Sequence, residues 1–385
     1  MIEIIYPVPE EFPDSRARFI QIINTCHALA KKGLNVNLIT GIKRGYLIED
    51  LYQFYNLESC ENFKIINLPV LRKQKKYLKI SWNGLFYLFF LKFLFKNIKK
   101  QNSVIFLRHV KLARFLLNFK KFFKIPMVFE VHEIFYLNAF NKKKQNYLKK
   151  IEESVYRNMD ILVCISRKLK EFLINNLGVD EKKIYVVHDG VRKEWFEIEK
   201  DQKNSYICYT GSLYKWKGID ILISAMKYLP NEKLVIVGGG NRLNELKELV
   251  IKENLADKVI FTGYVPHSFI PKYLSKAKVA VLPNIAEGPS EFSSPLKLFE
   301  YMAAGIPIVA SDLPVFREIL KNNESAIFFE AGNAEALANG IKQILNSEDL
   351  VKKLINNAKK IAQNYTYEKR AVKIYEICLN LTNAE

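Results

Sequence analysis

Runs of apolar residues alternate with amphipathic stretches from one end of the chain to the other. In the first half this pattern predicts a strand at Glu3–Tyr6, a proline-rich loop through Pro13, a helix at Ser15–Lys32 and a strand at Val36–Thr40. Further strands are predicted at 64–68, 104–107, 127–131 and 161–165. A strand, a helix and a second strand at this spacing are typical of a parallel α/β unit.

The same alternation resumes near Tyr206. It predicts a helix at 218–227 and strands at 206–210, 233–237, 259–261 and 279–282. The strand at 233–237 ends in three glycines, Gly238 to Gly240, which favour a tight turn over a phosphate-binding loop. No Gly-x-Gly-x-x-Gly motif occurs, so a nicotinamide-type dinucleotide site is not supported. At 385 residues the chain is expected to form two domains.

Composition argues against several classes of protein. A hydrophobic fraction of 49% is ample for folded cores. The five cysteines are scattered and form no Cys-x-x-Cys pair, so neither a disulfide framework nor a zinc knuckle is indicated, and a reducing cytoplasm is expected. The N-terminus has a very short apolar run and no basic residues before it, so no signal peptide is expected.

The positive charge is concentrated in the first half. Residues 1–190 hold 33 basic and 17 acidic residues, a net charge of +16, whereas the whole chain carries +19. Between Glu61 and Glu130 there are 16 basic residues and no carboxylate. Such a surface is expected to attract anionic lipid, nucleic acid or an acidic polymer.

Two aromatic segments lie inside this basic window, at 85–95 and 108–124. The first is far shorter than the roughly 20 residues that a transmembrane helix needs. Basic residues flank it on both sides: Arg72, Lys73, Lys75, Lys76, Lys79, Lys96, Lys99 and Lys100. Region 72–124 is therefore predicted to contact an anionic membrane surface. The alternative is a pair of ordinary helices, each with an apolar face in the core and lysines in water.

The segment from Ser294 to Gly305 has the start and stop signals of a short helix, expected to span about Pro295 to Ala304. Ser294 can cap the first amides, and Gly305 ends the run. Lys297 lies in the first turn, where the helix dipole disfavours a cation unless an anion is also present. Glu300 shares its face. The group suits a nucleoside diphosphate, with amides and lysine for phosphate and the carboxylate for ribose hydroxyls. The alternative is a half-buried helix with a surface Lys–Glu pair.

Four motifs occur in a fixed order along the chain. They are Ile184–Val191, which reads IYVVHDGV; Gly211-Ser212-Leu213-x-x-x-Lys217-Gly218; Phe261-x-Gly263-Tyr264-Val265; and the segment 294–311, which reads SPLKLFEYMAAGIPIVAS. Together they resemble the retaining glycosyltransferases of the glycogen-synthase-like family four. The resemblance covers nearly all of the second half and, more loosely, 163–174 and His132-Glu133.

The resemblance implies an α/β structure of GT-B type, with two Rossmann-like domains whose parallel sheets face each other across a cleft. The acceptor domain would be 1–190, with a C-terminal helix at 366–385 packed back on it, and the nucleotide-sugar domain would be 191–365. The implied donor-binding residues are Gly211, Ser212, Lys217, Gly263, Tyr264, Val265, Ser294, Pro295, Leu296, Lys297 and Glu300.

Three residues are implied to take part in the reaction. Lys217 would bind the donor diphosphate and Glu300 the ribose. His132 matches the family's cleft histidine, near the sugar and the bond that breaks. The alternative for His132 is a histidine at a strand end with a structural hydrogen bond. On the acceptor side the expected residues are Arg16, Arg18 and Glu133.

The sequence departs from the family pattern at two donor-side positions. Ser212 stands where an arginine is usual, so one phosphate contact is lost, and the candidates to replace it are Lys297, Lys215 and Arg192. Phe292 stands where the first of two glutamates is expected. Glu291 and Glu287 are near that position but out of register. On the acceptor side, the glycine pair usual after the first strand is also absent.

The expected reaction moves a sugar from a nucleoside diphosphate, with UDP favoured over GDP or ADP, to an acceptor hydroxyl with retention of configuration. The expected acceptor is a lipid-linked glycan or a lipopolysaccharide or surface-polysaccharide precursor. No cofactor or metal is expected, because lysines and helix-end amides can stabilise the departing diphosphate and no Asp-x-Asp motif occurs. The expected location is the inner face of the plasma membrane, as a peripheral cytoplasmic protein.

Two other functions remain open from the sequence. A non-hydrolysing sugar-nucleotide epimerase shares the fold and the donor chemistry, but it would consume donor without an acceptor. A basic module that binds membrane or nucleic acid would explain the charge. It would leave the motifs between Gly211 and Ser311 unexplained, and motifs for base stacking are absent, so no nucleic-acid partner is expected.

Overall fold

The computed structural model describes residues 2–70, 83–97, 102–201 and 205–382. The chain forms two compact units, the first comprising Met1–His188 with Tyr367–Glu385 and the second Asp189–Thr366. The boundaries predicted from the sequence, at 190 and 366, lie beside these two crossings. The basic residues predicted to flank the first aromatic segment at 72–79 and at 99–100 lie outside the described residues.

The first unit alternates strands and helices along the chain. Its elements up to the first crossing are β1 (Glu3–Phe12), α1 (Ala17–Lys31), β2 (Asn35–Ile42), α2 (Ile48–Phe54), β3 (Phe63–Asn67), α3 (Gly84–Asn97), β4 (Ser103–Leu107), α4 (Val110–Leu117), α5 (Lys120–Phe123), β5 (Met127–Val131), α6 (Lys142–Asn158), β6 (Ile161–Cys164), α7 (Arg167–Leu177) and β7 (Ile184–Val186).

The second unit repeats the alternation, and the last helix returns to the first unit. The elements are β8 (Tyr206–Thr210), α8 (Ile219–Ala225), β9 (Leu234–Val237), α9 (Leu243–Lys252), β10 (Val259–Gly263), α10 (Ile270–Leu274), β11 (Ala277–Leu282), α11 (Leu296–Ala303), β12 (Ile308–Ser311), α12 (Pro314–Arg317), β13 (Ile327–Phe329), α13 (Ala334–Leu345), α14 (Glu348–Ala362) and α15 (Tyr367–Thr382). Helix α15 packs against α1 of the first unit.

Each unit is built on one parallel sheet. The strand order is β3-β2-β1-β4-β5-β6-β7 in the first and β10-β9-β8-β11-β12-β13 in the second. The order reverses between β1 and β4 and again between β8 and β11. In open sheets of this kind ligands bind at the carboxyl ends of the strands beside such a reversal. The predicted α/β class with two parallel sheets is confirmed.

Strand β1 is longer than predicted and includes Pro7 and Pro9, the first two of the three prolines in the expected loop. Its pairing with β2 continues through Val8↔Thr40 and, after a shift in register, ends at Phe12↔Ile42. Strand β4 pairs with β1 only at Glu3–Ile5. Among the described strands, none pairs with that side of β1 at Pro7 and Pro9. A proline lacks the N–H of a ladder and is tolerated at such an edge. The prediction of a loop was wrong because the sequence does not show that β4 stops pairing with β1 after Ile5.

Alternate residues of the second sheet belong to two separate cores. Val279 and Val281 of β11 pack with α8 and α13, whereas Ala280 and Leu282 of the same strand pack with α11. Side chains alternate between the faces of a strand, so helices cover this sheet on both sides. Helix α11 is thereby anchored by burial, and its position relative to the strand ends is fixed.

Candidate functional site

Helix α11 begins at Leu296, one residue later than predicted, with Pro295 at its N-cap. Ser294 does not cap it, contrary to the prediction. Its Oγ instead accepts a hydrogen bond of 3.4 Å from the backbone N–H of Asp189. Because the serine oxygen is engaged by another segment of the second unit, no side chain caps the first amides of α11.

Lys297, in the first turn of α11, is buried. Its Nζ lies 3.6 Å from the centroid of the Tyr209 ring and has no hydrogen-bond partner among the described residues. Burial holds the pKa of this amine well below that of an ordinary lysine, and the neighbouring Lys217 lowers it further. Glu300 is buried as well, so the two residues do not form the exposed pair of the alternative interpretation.

Gly211 leaves the space beside this amine open. Its φ is +129°, and a Cβ atom there would lie 3.1 Å from Lys297 Nζ. The next residue, Ser212, contributes its carbonyl oxygen to a hydrogen bond of 2.8 Å from the Tyr209 hydroxyl. The ring under the lysine is therefore fixed from both sides, by its own strand β8 and by the loop that follows it.

Lys217 is the second amine of the site. It ends the 3₁₀ turn Lys215–Lys217 and is half-buried. Burial lowers its pKa to about 8, and no carboxylate among the described residues forms an ion pair with it. The following Gly218 has a φ of +65°, and a Cβ there would lie 1.9 Å from the carbonyl oxygen of Pro283. The turn that carries Lys217 thus packs directly on the loop after β11.

Glu300 has a partner that sequence reasoning missed. Its Oε1 lies 2.7 Å from Nε2 of His267, and the His267 ring lies against Trp195 with 5.3 Å between centroids. The sequence signal that could have identified His267 was its position, because it follows Gly263, Tyr264 and Val265 in the loop after β10. The resemblance covered those three residues and stopped short of the histidine.

The loops after β8, β9 and β10 are joined by backbone hydrogen bonds. The Gly211 N–H donates to Val237 O at 2.8 Å, and the Gly238 N–H donates to Gly263 O at 3.0 Å. Gly238 has a φ of +143°, and a Cβ there would lie 2.0 Å from Gly211 O. The three-glycine segment therefore allows two loops to touch, which holds the residues around Lys297 in place.

No carboxylate replaces the glutamate expected at Phe292. The Phe292 side chain is buried, and Glu291 ends the 3₁₀ turn Gly288–Glu291. Glu287 lies at the surface, 3.8 Å from Lys215 Nζ. Among the residues that the structure describes, no group of three or more His, Cys, Asp or Glu side chains is arranged to hold a metal ion.

The first unit contains a cavity of about 690 Å³ at the carboxyl ends of its strands. Of the predicted residues, Arg18, His132 and Glu133 lie in its wall. Arg16 does not, because its guanidinium is engaged by Asp14, 2.8 Å away. The cavity is lined by four cationic side chains, Arg18, Arg108, Lys111 and Lys144, and by four carboxylates, Glu10, Glu130, Glu133 and Glu152. The wall therefore offers partners both for anionic groups and for hydroxyls of a polar ligand.

His132 is almost wholly buried one residue beyond the end of β5. Its Nε2 lies 3.1 Å from Glu130 Oε2, although the pair lacks the geometry of a hydrogen bond. Burial, reinforced by Arg108, holds the pKa of the imidazole well below its ordinary value, so the ring is neutral near pH 7. Burial also raises the pKa of the neighbouring Glu133 carboxyl.

Helices α3, α4 and α5 form an aromatic and basic surface on the first unit. Phe86, Phe90 and Leu94 of α3 are buried, as the ordinary-helix alternative requires, yet other large apolar side chains of this region are exposed: Leu88, Phe89, Phe95 and Phe122. Phe95 and Phe122 are in ring contact at 5.3 Å. Exposed cations lie among them: Lys92, Lys96, Lys121 and Lys124. None of the described helices is long and apolar enough to span a bilayer.

Two family models match the chain. The model described as "Glycosyltransferase Family 4" matches residues 20–195, and "Glycosyl transferases group 1" matches residues 191–361. The uncharacterized glycosyltransferases MJ1607 and MJ1178 of Methanocaldococcus jannaschii are 28% and 26% identical, and the matches cover 59% and 84% of this chain. These matches span 62% of MJ1607, less than two thirds of that protein, and 88% of MJ1178.

A further relative is an Escherichia coli enzyme named UDP-Gal:alpha-D-GlcNAc-diphosphoundecaprenol alpha-1,3-galactosyltransferase. It is 26% identical, with 63% of this chain and 67% of that protein covered. Among solved structures, sucrose-phosphate synthase from Thermosynechococcus elongatus superimposes with a TM-score of 0.79 at 19% identity, over 100% of both chains. Anabaena HepE in complex with UDP gives 0.74 at 15% identity, over 98% of this chain and 100% of that one.

Replacing Gly238 by alanine is expected to destabilise the second unit. A left-handed φ in a residue other than glycine costs roughly 1–3 kcal/mol, and the new methyl group would also collide with Gly211 O. The matched control is Gly332→Ala, where φ is +87° but nothing lies within 4 Å of the added Cβ. Urea unfolding is followed by fluorescence in a Trp82→Phe background, in which the remaining tryptophans, Trp195 and Trp216, both lie in the second unit. Equal midpoints for the two variants would show that the close approach to Gly211 is unimportant.

Proposed function

Because the chain belongs to the GT-B glycosyltransferases of family-four type, we propose that it moves a sugar from a UDP-sugar to a hydroxyl of a lipid-linked glycan or surface-polysaccharide precursor. The configuration at the anomeric carbon is retained. The observation that carries the donor half of this proposal is a buried lysine amine without an acceptor, beside a second amine and a buried carboxylate. The argument for the acceptor half rests on the first unit.

The donor diphosphate is assigned to Lys217, Lys297 and the first amides of α11. Both amines have a lowered pKa because they are buried, and an anion between them restores the environment that a charged lysine requires. Uncapped amides at a helix N-terminus favour the same ligand. Glu300, oriented by His267, is assigned to the ribose hydroxyls.

Lys297 is the best candidate to replace the arginine that is missing at Ser212. The side chain of Lys215 is 75% exposed and pairs with Glu287, and Arg192 is engaged by Glu194. Lys297 alone of the three is buried without a hydrogen-bond partner in the described part of the chain. Its Nζ lies against Gly211, the residue that precedes Ser212.

Two of the matched proteins support the choice of UDP. The E. coli relative is named for a UDP-Gal donor, and the HepE structure contains UDP. Retention is proposed with a same-face mechanism, because no carboxylate stands at the position of Phe292 to act as a nucleophile. In that mechanism the leaving diphosphate accepts the proton of the acceptor hydroxyl as the new glycosidic bond forms. Trapping of a covalent glycosyl-enzyme on Glu291 or Glu287 would exclude it.

The acceptor is assigned to the first unit. The cavity wall offers four cations for phosphate oxygens and four carboxylates for sugar hydroxyls, and the name of the E. coli relative places a diphosphate on its lipid-linked acceptor. Helix α4 contributes Val110 and Lys111 of its first turn to the cavity, and Phe115 of its last turn contacts Tyr87 of α3 at 5.2 Å between ring centroids. A diphosphate in the cavity and a lipid tail along α3 to α5 would use both features. The same surface supports a peripheral position on the inner leaflet.

The donor assignment predicts that Lys297→Met weakens UDP binding by about 10- to 100-fold, the loss of a charge-assisted contact of roughly 1.5–3 kcal/mol. Uridine binding should change little, because the amine is assigned to phosphate. Adding Ser212→Arg to this variant should recover part of the affinity by supplying the missing cation. Isothermal titration with UDP, UMP and uridine measures these differences, and Lys215→Met is the exposed control.

Two results would count against this assignment. If the wild-type protein binds none of the three compounds, the donor site itself is misassigned. If Lys297→Met weakens uridine and UDP equally, the lysine does not act on the diphosphate, whatever Ser212→Arg does.

Sugar transfer is expected to continue after treatment with EDTA, with less than about a twofold change in rate, because the amines and helix-end amides neutralise the departing diphosphate. The measurement is release of UDP in the presence of acceptor, before and after chelation. A loss of activity that Mg²⁺ or Mn²⁺ restores would refute metal independence. Consumption of the donor in the absence of any acceptor would instead favour an epimerase.

The protein is expected to co-sediment with phosphatidylcholine–phosphatidylglycerol vesicles more strongly than with phosphatidylcholine alone, and binding should weaken as salt is added. The double variant Leu88→Ser/Phe122→Ser should bind less, because each substitution removes a side chain that is about 60% exposed. The control is Ile251→Ser, on the second unit, where the side chain is 69% exposed. Binding that does not change with lipid charge, with salt or in the double variant would contradict the proposal.

A further inference from the structure

A fully buried ion pair joins strand β5 to the last helix of the chain. Glu130 and Arg370 are 1% and 3% exposed, and Arg370 Nη2 donates to Glu130 Oε1. The two residues are separated by 240 positions in the sequence. A buried pair of this kind is seldom a source of stability, because desolvation of both charges offsets their attraction. The role of the pair therefore lies in the neighbouring groups that it holds in position.

Arg370 uses its other donors to hold the surrounding backbone. Its Nε donates to Thr25 Oγ1 at 3.2 Å, and its Nη1 donates to the carbonyl oxygens of Val187 and His188 at 2.7 and 2.5 Å. The guanidinium is planar and rigid, so these bonds fix the direction in which Nη2 meets Glu130. The carboxylate is therefore held on one side by an arginine that cannot rotate away.

The two oxygens of Glu130 have different surroundings. Oε1 accepts from Arg370 and, at 3.1 Å, from Gln21 Nε2. Oε2 accepts from the Tyr6 hydroxyl at 3.1 Å and lies 3.1 Å from His132 Nε2. Glu130 and His132 are two residues apart on an extended segment, so both side chains project from the same face.

The contact between Glu130 Oε2 and His132 Nε2 decides where the proton of the neutral imidazole resides. The pair lacks the alignment of a hydrogen bond, so the preference comes from charge. The carboxylate 3.1 Å from Nε2 repels a lone pair on that nitrogen and attracts the positive end of an N–H dipole there. The favoured tautomer therefore carries its proton on Nε2. Nδ1 is then left as the hydrogen-bond acceptor of the ring.

We propose that Glu130, held by Arg370, is a positioning residue that keeps His132 in its Nε2–H tautomer during sugar transfer. The proposal rests on the proposed function and on the position that the family resemblance implies for His132, near the reacting sugar. In the opposite tautomer Nδ1 would be a donor, and the ring could not accept a hydrogen bond from a sugar hydroxyl at that atom. Two buried charges far apart in sequence thus determine the chemistry of a third, neutral group.

The direct test is the tautomer of His132 in the full-length protein, read from the ¹⁵N shifts of the imidazole nitrogens. The signal is assigned by its absence in His132→Gln, which separates it from the other four histidines of the chain. The wild type should show a protonated Nε2 and an unprotonated Nδ1. A protonated Nδ1, or equal populations of the two tautomers, would overturn the proposal without any variant.

Glu130→Gln should invert the tautomer. Arg370 and Gln21 both require an acceptor at the Oε1 position, so the amide oxygen of the new side chain will occupy it. The amide NH₂ then faces His132 Nε2 and favours a lone pair on that nitrogen. We expect Nδ1–H in this variant and a fall in kcat of at least about tenfold, with the KM for donor little changed.

Affinity for UDP provides the internal control, because the residues assigned to the donor lie on the second unit. Unchanged UDP binding shows that the second unit of Glu130→Gln is intact, and an unchanged circular dichroism spectrum together with a resolved His132 ¹⁵N signal shows that the first unit is folded. Unchanged kcat in such a protein would refute the proposal. If that variant does not fold, Arg370→Lys is the substitute. It retains a charge for Glu130, so Nε2–H should persist while the loosened carboxylate lowers kcat. Absence of sugar transfer by the wild type would refute the proposed function and leave the tautomer result standing.

Discussion

A lysine amine removed from water without an acceptor is unfavourable to the folded state, and the second unit is organised around such an amine. The Tyr209 ring lies beneath Lys297, Gly211 leaves room beside it, and Gly238 lets the neighbouring loop approach Gly211 closely. The arrangement lowers the pKa of the amine in the free protein. An anion that enters reverses this effect, because an opposite charge nearby favours the protonated form. The feature that weakens the free protein would therefore strengthen binding of the anionic ligand proposed for this site.

The two units differ in how the hydrogen bonds of their buried charged side chains are satisfied. In the first unit Arg370 and Glu130 satisfy each other, and the remaining lone pairs are taken by Tyr6 and Gln21. A satisfied network of this kind is rigid and suited to orienting a neighbour such as His132. In the second unit Lys297 has no such partner within the described part of the chain. An unsatisfied group is suited to binding, because the ligand supplies the missing partner.

The sequence predicted the elements better than the contacts between them. The alternation of strands and helices followed from apolar periodicity, and the residues proposed for the donor come from motifs that are local in the chain. The course of β1 beyond Tyr6 depended on where β4 stops pairing, and the cap of α11 depended on Asp189, more than 100 residues from Ser294. The bonds from His267 to Glu300 and from Arg370 to Glu130 are equally non-local. No periodicity encodes such pairs, so only the fold could reveal them.

Helix α4 connects the cavity of the first unit with the aromatic residues of the basic window. Its first turn contributes to the cavity, where Lys111 must face a polar space, and His109 caps the helix with Nδ1 at 3.2 Å from the Leu112 N–H. Burial lowers the pKa of His109 to about 4, so the cap is neutral and can accept this bond. Beyond that turn, a helix in an ordinary α/β domain needs only one apolar face. Phe122, exposed on the following α5 and in contact with exposed Phe95, exceeds that need. Water disfavours such a cluster, and this is the physical ground on which the membrane contact proposed above is assigned to this surface.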